Sequence, residues 1–459
     1  MNKPTVNMKL NLKHCDVLGI GFGPANIALA IALEELMPNA NVKFLETRER
    51  SMWQPEMLIE RSDIQNNPLR DLVTPRNPRS KYTFVNYLYE QDRLFEYLNL
   101  GIQFPLRKEY AHYIEWVANH FQHWVEYNQR VTLIEIINNE NSVGFSYRVT
   151  TDSGKIYIAK ALVVAPGRTP YIPPPFDKVN SDRICHLTKY LSHVKQWRQK
   201  PTCKKIAVIG SSQSAVELIL DLSKKFLNAE IIGIIRNFGY RLKDTSPFTG
   251  EVYFPEFVNY YYHIDRESKD KINQDLRYTN YSSVDGDVLN ELYLKIYEQK
   301  LDRDQKIFVK NNRLITDVSI RNEKIRLSIV EKNLKQVEED EFDLVILATG
   351  FKNLGSRENE EAYPPILKHV ESYLCMNDNG YLNINYDYSV DLLNEISLYA
   401  PLFLNGLCES SHGMGDAGSF SLLSLRSAII VNGLKQKLKT SLNTSKEEVT
   451  IPFLQTVDK

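Results

Sequence analysis

The stretch Cys15-Asp-Val-Leu-Gly19-Ile-Gly21-Phe-Gly23-Pro24-Ala-Asn26-Ile-Ala-Leu-Ala-Ile-Ala-Leu33 decides the fold. Residues 16–20 read as a short apolar strand that ends in a turn only small residues can make, and a helix over 26–36 follows at once. The first N–H groups of such a helix have no partner within it and face the crevice beyond the strand end, which suits a pyrophosphate. Residues 41–46 form a second strand ending in Glu46, about 25 residues after the turn, where a carboxylate grips ribose hydroxyls. The pattern recurs about 190 residues downstream as Lys205-Ile-Ala-Val-Ile-Gly210-Ser-Ser212-Gln213-Ser214-Ala215, again running into an apolar helix. One such turn is weak evidence. Two, each opening a βαβ-like stretch, imply two bound dinucleotides with electrons passing between them. In the second unit the strand over 230–235 ends in Arg236 rather than an acid. A guanidinium there pairs with a 2′-phosphate that a carboxylate would repel, so NADPH is expected over NADH, with Arg241 and Lys243 in support.

With 459 residues, 43% of them hydrophobic, the chain can bury a large core and divides into two or three domains. Lys plus Arg number 56 against 57 Asp plus Glu, so no global field recruits nucleic acid or an anionic membrane. The five cysteines are dispersed, with no Cys-x-x-Cys and no zinc spacing, which fits reduced thiols. The polar first 14 residues lack a signal-peptide pattern, and no apolar run approaches the ~20 residues needed to cross a bilayer. The expectation is a cytoplasmic enzyme acting on a small molecule.

Residues 51–116 are dense in aromatics, prolines and arginines without clean periodicity, as in a functional loop region. A buried strand over 161–167 leads to a polyproline-like exit at 170–175, and 195–205 read as a polar linker. Residues 246–300, rich in tyrosine and acids, read as a mostly helical insertion, and the sheet resumes over 342–351. Near the end, His412-Gly413-Met-Gly415-Asp416 precedes a helix over 422–434, an arrangement that brings a carboxylate and a helix N-terminus to a flavin's ribityl chain.

Several linked motifs resemble the flavin-dependent N-hydroxylating monooxygenases of siderophore biosynthesis, the lysine and ornithine N-monooxygenase family. They are Gly19-Ile-Gly-Phe-Gly-Pro-Ala-Asn26, Gln65 followed by Asp71-Leu-Val-Thr-Pro-Arg76-Asn-Pro, Phe104-Pro-Leu-Arg107-Lys-Glu109 with Tyr113 and Trp116, Thr279-Asn280-Tyr281-Ser282, Ala348-Thr-Gly-Phe351 and His412-Gly413. The resemblance implies an α/β fold with two Rossmann-like dinucleotide-binding domains and a small, mostly helical substrate domain. It places the FAD domain at 1–200 and 386–459, the latter including a C-terminal substrate-contact segment. The NADPH domain falls at 201–243 and 305–385, and the substrate insertion at 244–304. It also implies the chemistry: NADPH reduces FAD, O₂ adds to the reduced flavin, and a neutral primary amine takes one oxygen atom to become a hydroxylamine. A homo-oligomer, for instance a tetramer, is compatible with it.

Residue by residue, the resemblance puts Gln65 beside the isoalloxazine and lets Asn280 hold the substrate and nicotinamide ends together, so these two are the catalytic candidates. The cofactor-binding set is Gly19, Gly21, Gly23, Pro24, Glu46, Trp53, Gln65, Gly210, Ser212, Gln213, Ser214, Arg236, Thr349, Gly350 and Asp416. Substrate-binding candidates are Arg70, Gly250, Asn280 and Ser424. The chain departs from the family at informative positions. Arg70 stands for a lysine that pairs with the substrate carboxylate, Gly250 for an asparagine at the amino-acid end, and Ser212 for a glycine. Extra residues after His412-Gly413 blur which serine faces the substrate. An α-carboxylate and α-ammonium need paired partners in a dry pocket, so losing that asparagine points to a decarboxylated amine, histamine or a diamine such as putrescine or cadaverine. L-ornithine or L-lysine is the alternative. Among rivals, a disulfide reductase lacks its cysteine pair, and a Baeyer–Villiger or sulfur-oxidising monooxygenase lacks its Phe-x-Gly-x-x-x-His ahead of His186. A nucleotide-sensing protein on the same fold remains the non-enzymatic reading.

Overall fold

The computed structural model describes residues 12–139, 144–200, 202–393, 396–416 and 418–444, so both extreme ends of the chain lie outside the described residues. Two sheets organise the chain. In the first, Leu12–Ile20 pairs in parallel with Val42–Leu45 on one side and Ile156–Val164 on the other. Leu402–Leu404 returns from the far end of the chain to extend the sheet beside Ile156–Val164. Val17, Leu18, Val163 and Val164 are fully buried, as expected of parallel strands covered on both faces. The helices Pro24–Leu36 and Leu423–Thr444 pack together against this sheet, so the two ends of the sequence share one core.

The second sheet is all parallel, in the order Ile307–Lys310, Glu230–Ile234, Lys205–Ile209, Leu344–Leu347, Ile184–His186. A three-stranded antiparallel sheet, Arg313–Arg321, Lys324–Glu331 and Val337–Phe342, covers one face through Val318, Ile325, Leu327 and Ile329. Each glycine turn follows a strand whose two neighbours belong to different connections, the position at which open α/β sheets bind ligands.

Strand pairing moves several of the expected boundaries. Ile184–His186 already belongs to the second sheet, so the first unit gives way before residue 184 rather than at 200. The expected linker at 195–205 starts inside the helix Tyr190–Trp197, whose Val194 and Trp197 are buried in the second core. The helical insertion ends near 285 rather than 304. The helix Gly286–Leu301 sends Leu292 into the second core and connects the parallel strands Glu230–Ile234 and Ile307–Lys310. Residues Leu354, Leu367, Val370, Leu374, Leu382 and Ile384 pack in the first core, so the return crossing comes near 353 and not at 385. The aromatic-rich stretch 51–116 contains the helices Phe84–Glu90 and Leu94–Leu100 and runs into a third, Arg107–His120. Buried tyrosines and a buried arginine on the first and last of these helices hide the period that aliphatic residues would have shown.

Candidate active site

The first turn is built for close approach. A Cβ on Gly19 would lie 2.1 Å from the Phe44 ring, and one on Gly21, at φ +82°, would lie 2.4 Å from the Ala165 carbonyl oxygen. Nothing lies within 4 Å of a Cβ at Gly23, so the backbone there faces open space just before Pro24 opens the helix. Glu46 is already oriented: Oε2 accepts from the Phe22 N–H at 2.8 Å and Oε1 from the Arg48 N–H at 3.0 Å. Behind the turn, the Asn26 amide donates to the carbonyls of Gly21 (2.7 Å) and Ile20 (3.2 Å) and accepts from Asn405 (3.0 Å). Arg426 continues the chain, donating to Asn405 Oδ1 (2.9 Å) and to Asp416 Oδ1 (2.8 Å). Asp416 Oδ2 and the Ser424 hydroxyl are buried without a hydrogen-bond partner. An open helix N-terminus, a poised acid and two unsatisfied buried oxygens fit FAD, whose pyrophosphate Gly23 and Pro24 would face and whose ribose Glu46 would hold. Asn26, Asn405 and Arg426 carried no role in the sequence reading, although Asn26 closes the first quoted motif.

The second turn repeats the close approach. A Cβ on Gly210, at φ +147°, would lie 2.3 Å from the Ala348 carbonyl oxygen. Ser212 caps the helix Gln213–Lys225 without a side-chain bond, and Ser214 is half-buried in its first turn. Gln213, expected at the cofactor, has its polar groups engaged by the protein. Its N–H donates to the Ser283 carbonyl (2.9 Å), Oε1 accepts from the Asp285 N–H (2.9 Å) and Nε2 donates to Glu217 (3.2 Å). Arg236 is exposed, and its guanidinium has no partner among the described residues, so it is free for a 2′-phosphate. Its expected helpers are engaged elsewhere: Arg241 lies 4.8 Å over the Tyr278 ring and Lys243 sits 3.5 Å from Asp285. At the far side, the Thr349 hydroxyl donates to the Tyr171 carbonyl (2.5 Å). The Gly350 carbonyl accepts from His186 Nε2 (2.9 Å) and the Tyr171 N–H (3.0 Å). Burial pushes His186 down to about 4, so the ring is neutral and donates from Nε2.

Gln65 lies where the two units meet. It holds a left-handed φ of +53°, with its N–H on Asp63 Oδ1 at 2.9 Å and its side-chain amide donating to Asp285. Burial, with the Asp285 and Glu217 charges adding and Arg107 opposing, pushes Asp63 up to about 6. Arg107 grips Glu217 through its two terminal guanidinium nitrogens at 2.9 and 3.0 Å and donates to the Met57 carbonyl at 2.8 Å, tying the first unit to the second nucleotide helix. Removing one partner of a buried pair like this leaves an uncompensated charge.

Beside Gln65, Arg70 donates to the Ser421 hydroxyl at 3.3 Å and lies 6.0 Å over the Phe254 ring, with no carboxylate partner among the described residues. Gly250 occupies the short helix Thr249–Tyr253, and nothing lies within 4 Å of a Cβ built there. Tyr253 in that helix donates to the Thr279 carbonyl at 3.2 Å, next to the exposed Asn280, whose side chain has no partner among the described residues. Arg70, the Gly250 turn and the Asn280 segment are thus brought together. Ser424 is not: it is fully buried at the start of the last helix, and the serine that meets Arg70 is Ser421. Trp53 packs edge-on against Phe420 (5.2 Å) and Tyr110 (6.0 Å), which anchors the segment carrying Ser421. A buried cluster missed by sequence reading adjoins Asn280. Tyr281 donates its hydroxyl to Glu409, which also accepts from Asn353 (3.2 Å), while Arg168 donates to Asn353 Oδ1 (2.8 Å). Burial raises the Glu409 carboxyl, with Arg168 opposing.

Residues 13–353 match the family model described as L-lysine 6-monooxygenase/L-ornithine 5-monooxygenase. The L-ornithine N(5)-oxygenase of Arthrobotrys oligospora is 34% identical over 93% of this chain and 89% of its own length. The ornithine hydroxylase of Pseudomonas aeruginosa superposes with a TM-score of 0.82 at 30% identity, covering 93% of this chain and 100% of that one. The Kutzneria ornithine N-hydroxylase, solved with reduced FAD, NADP⁺ and L-ornithine, superposes with a TM-score of 0.84 at 27% identity over 92% and 99% of the two chains. The chain therefore belongs to the L-lysine 6-monooxygenase/L-ornithine 5-monooxygenase family and is an FAD- and NADPH-dependent enzyme that N-hydroxylates a primary amine for siderophore biosynthesis.

Proposed function

We propose that the amine is decarboxylated, with histamine favoured over a diamine such as putrescine or cadaverine. The observation that carries this is the open position at Gly250, where no side chain is offered to an amino-acid head group. Burying that head group without partners is costly, whereas an imidazole asks only for aromatic faces such as Phe254 and Tyr253 and one donor. Arg70 decides between the two candidates. A diamine would bring its second ammonium to a half-buried guanidinium with no acid beside it, and like charges at short range repel. The same Arg70 favours a second reading, L-ornithine or L-lysine, because an unpaired guanidinium is a carboxylate partner.

When bound, FAD supplies the redox chemistry with O₂. The chain does the rest in this reading. Gln65 stands beside the flavin ring, Asn280 spans the amine and the nicotinamide, and the Trp53–Phe420 contact holds the Ser421 segment against Arg70. The amine must shed its proton before it reacts. A pocket that strips water and presents the Arg70 cation favours the neutral amine on both counts. The five cysteines are all free, which supports a reducing, cytoplasmic setting.

Hydroxylamine formation across histamine, putrescine, cadaverine, ornithine and lysine tests the proposal. Histamine should give coupled turnover in the wild type, and Gly250→Asn with Arg70→Lys should shift preference toward ornithine. Efficient, coupled wild-type turnover of ornithine or lysine with little activity on the three amines would overturn it.

A further inference from the structure

We infer that Asp285 is a positioning residue that sets which end of the Gln65 amide is offered to the reacting centre. This rests on the proposed place of Gln65 beside the flavin. An amide has a donor end and an acceptor end of nearly the same shape, and the surrounding hydrogen bonds decide which way it points. An ionised carboxylate only accepts. With Nε2 donating to Asp285, Gln65 leaves Oε1 as its free pole, without a protein partner among the described residues. The backbone is held as firmly: Asp63 accepts the Gln65 N–H and keeps the residue at its left-handed φ. Asp285 is anchored in turn. Its own N–H donates to Gln213 Oε1 at 2.9 Å, and Lys243 lies 3.5 Å from its other oxygen. Gln213 reaches on to Glu217, and Glu217 to Arg107, so the amide is referenced to the nucleotide helix and to the first unit at once.

The position of Asp285 at the start of the helix Gly286–Leu301 does not explain it, because its side chain makes no capping bond. Its carboxylate is turned instead to a glutamine far away in sequence. The consequence is an acceptor-only face at Gln65, suited to a donor on bound flavin, substrate or oxygen species, and defined before any of them arrives.

The test uses the FAD-loaded enzyme and three variants: Gln65→Ala, Asp285→Asn and the double variant. Asp285→Asn keeps shape but lets the Gln65 amide turn either way. It should raise hydrogen peroxide released per hydroxylamine by about tenfold, the order of one charge-assisted hydrogen bond, while anaerobic flavin reduction by NADPH stays within about twofold. Because Asp285 acts through Gln65, the double variant should be no worse than Gln65→Ala alone. Visible circular dichroism of the bound oxidised flavin, recorded without turnover, should change alike in the two single variants. Asp285→Ser, which still suits a helix start, repeats the test should the asparagine variant fold poorly. If Gln65→Ala leaves coupling unchanged, the place of Gln65 beside the flavin is wrong. If Gln65→Ala uncouples but Asp285→Asn does not, or if their effects add, the role of Asp285 alone is overturned.

Discussion

The two nucleotide turns solve the same backbone problem and then diverge. In each, a glycine at positive φ comes so close to a carbonyl of the neighbouring strand that a Cβ would fall within 2.4 Å of its oxygen: Ala165 for Gly21 and Ala348 for Gly210. Beyond that shared contact nearly everything differs. The first turn opens onto space at Gly23, and its acid, Glu46, is pre-oriented by two backbone N–H groups. The second has Ser212 in place of a glycine, a first helical residue committed to Ser283, Asp285 and Glu217, and a free Arg236 in place of an acid. The comparison teaches that the close strand-to-turn packing is common to both units, whereas the residues around each turn differ in charge and in how they tie the two units together.

The largest test separates the turns. Gly21→Ala and Gly210→Ala each force a side chain into a left-handed backbone and a carbonyl, and strain of this kind amounts to roughly 1–3 kcal/mol before the clash is counted. Gly21→Ala should purify without bound flavin. Gly210→Ala should retain yellow, dithionite-reducible flavin but lose at least about tenfold in the rate of reduction by NADPH. Loss of flavin from both would mean that the two sites do not act separately. Next comes Arg236→Ala, expected to lower the NADPH-over-NADH preference in flavin reduction by roughly ten- to hundredfold, the range of a charged hydrogen bond. An unchanged ratio would remove Arg236 from the 2′-phosphate.

Two smaller tests use acid. His186 supports the second turn through the Gly350 carbonyl, and its folded value of about 4 lies below the ordinary 6.5. Its contribution is therefore complete above pH 6.5 and lost as pH falls through 4. His186→Gln, which can still donate to Gly350, should make the fall in Tm across that window shallower; an identical slope would show that other groups govern it. Asp63 carries the opposite sign. Its folded value of about 6 lies above the ordinary 3.8, so the folded protein binds this proton more readily and ionisation above pH 6 is destabilising. Asp63→Asn keeps an acceptor for the Gln65 N–H and should raise Tm by ~2 °C at pH 8, with the gain gone below about pH 4. A gain that persists at low pH would point to packing instead.

Much of this architecture is legible in the chain itself. Gly21, Gly210 and Gly350 mark positions that demand positive φ, and the apolar runs beside them read as parallel strands because such strands are buried on both faces. The strand-end positions of Glu46 and Arg236 are legible as well, just past the strands Val42–Leu45 and Glu230–Ile234. The domain boundaries are less legible, since Ile184–His186 and Leu402–Leu404 are too short to reveal which sheet they join until their partners are known.

By itself, then, the sequence determined the α/β class and two dinucleotide-binding turns, because these are written in local rules of backbone geometry and residue size; FAD as one of the two cofactors came from the linked motifs that resemble the family. Only the tertiary structure decided that Ser421 rather than Ser424 meets Arg70, that Gln213 bonds to Ser283, Asp285 and Glu217, and that Asp285 accepts from the Gln65 amide. Those pairings join residues 351 and 220 positions apart for Arg70–Ser421 and Gln65–Asp285. No periodicity or spacing encodes a contact of that range; Arg70–Ser421 exists only once distant segments have packed in the first core, and Gln65–Asp285 only once the first unit has met the second.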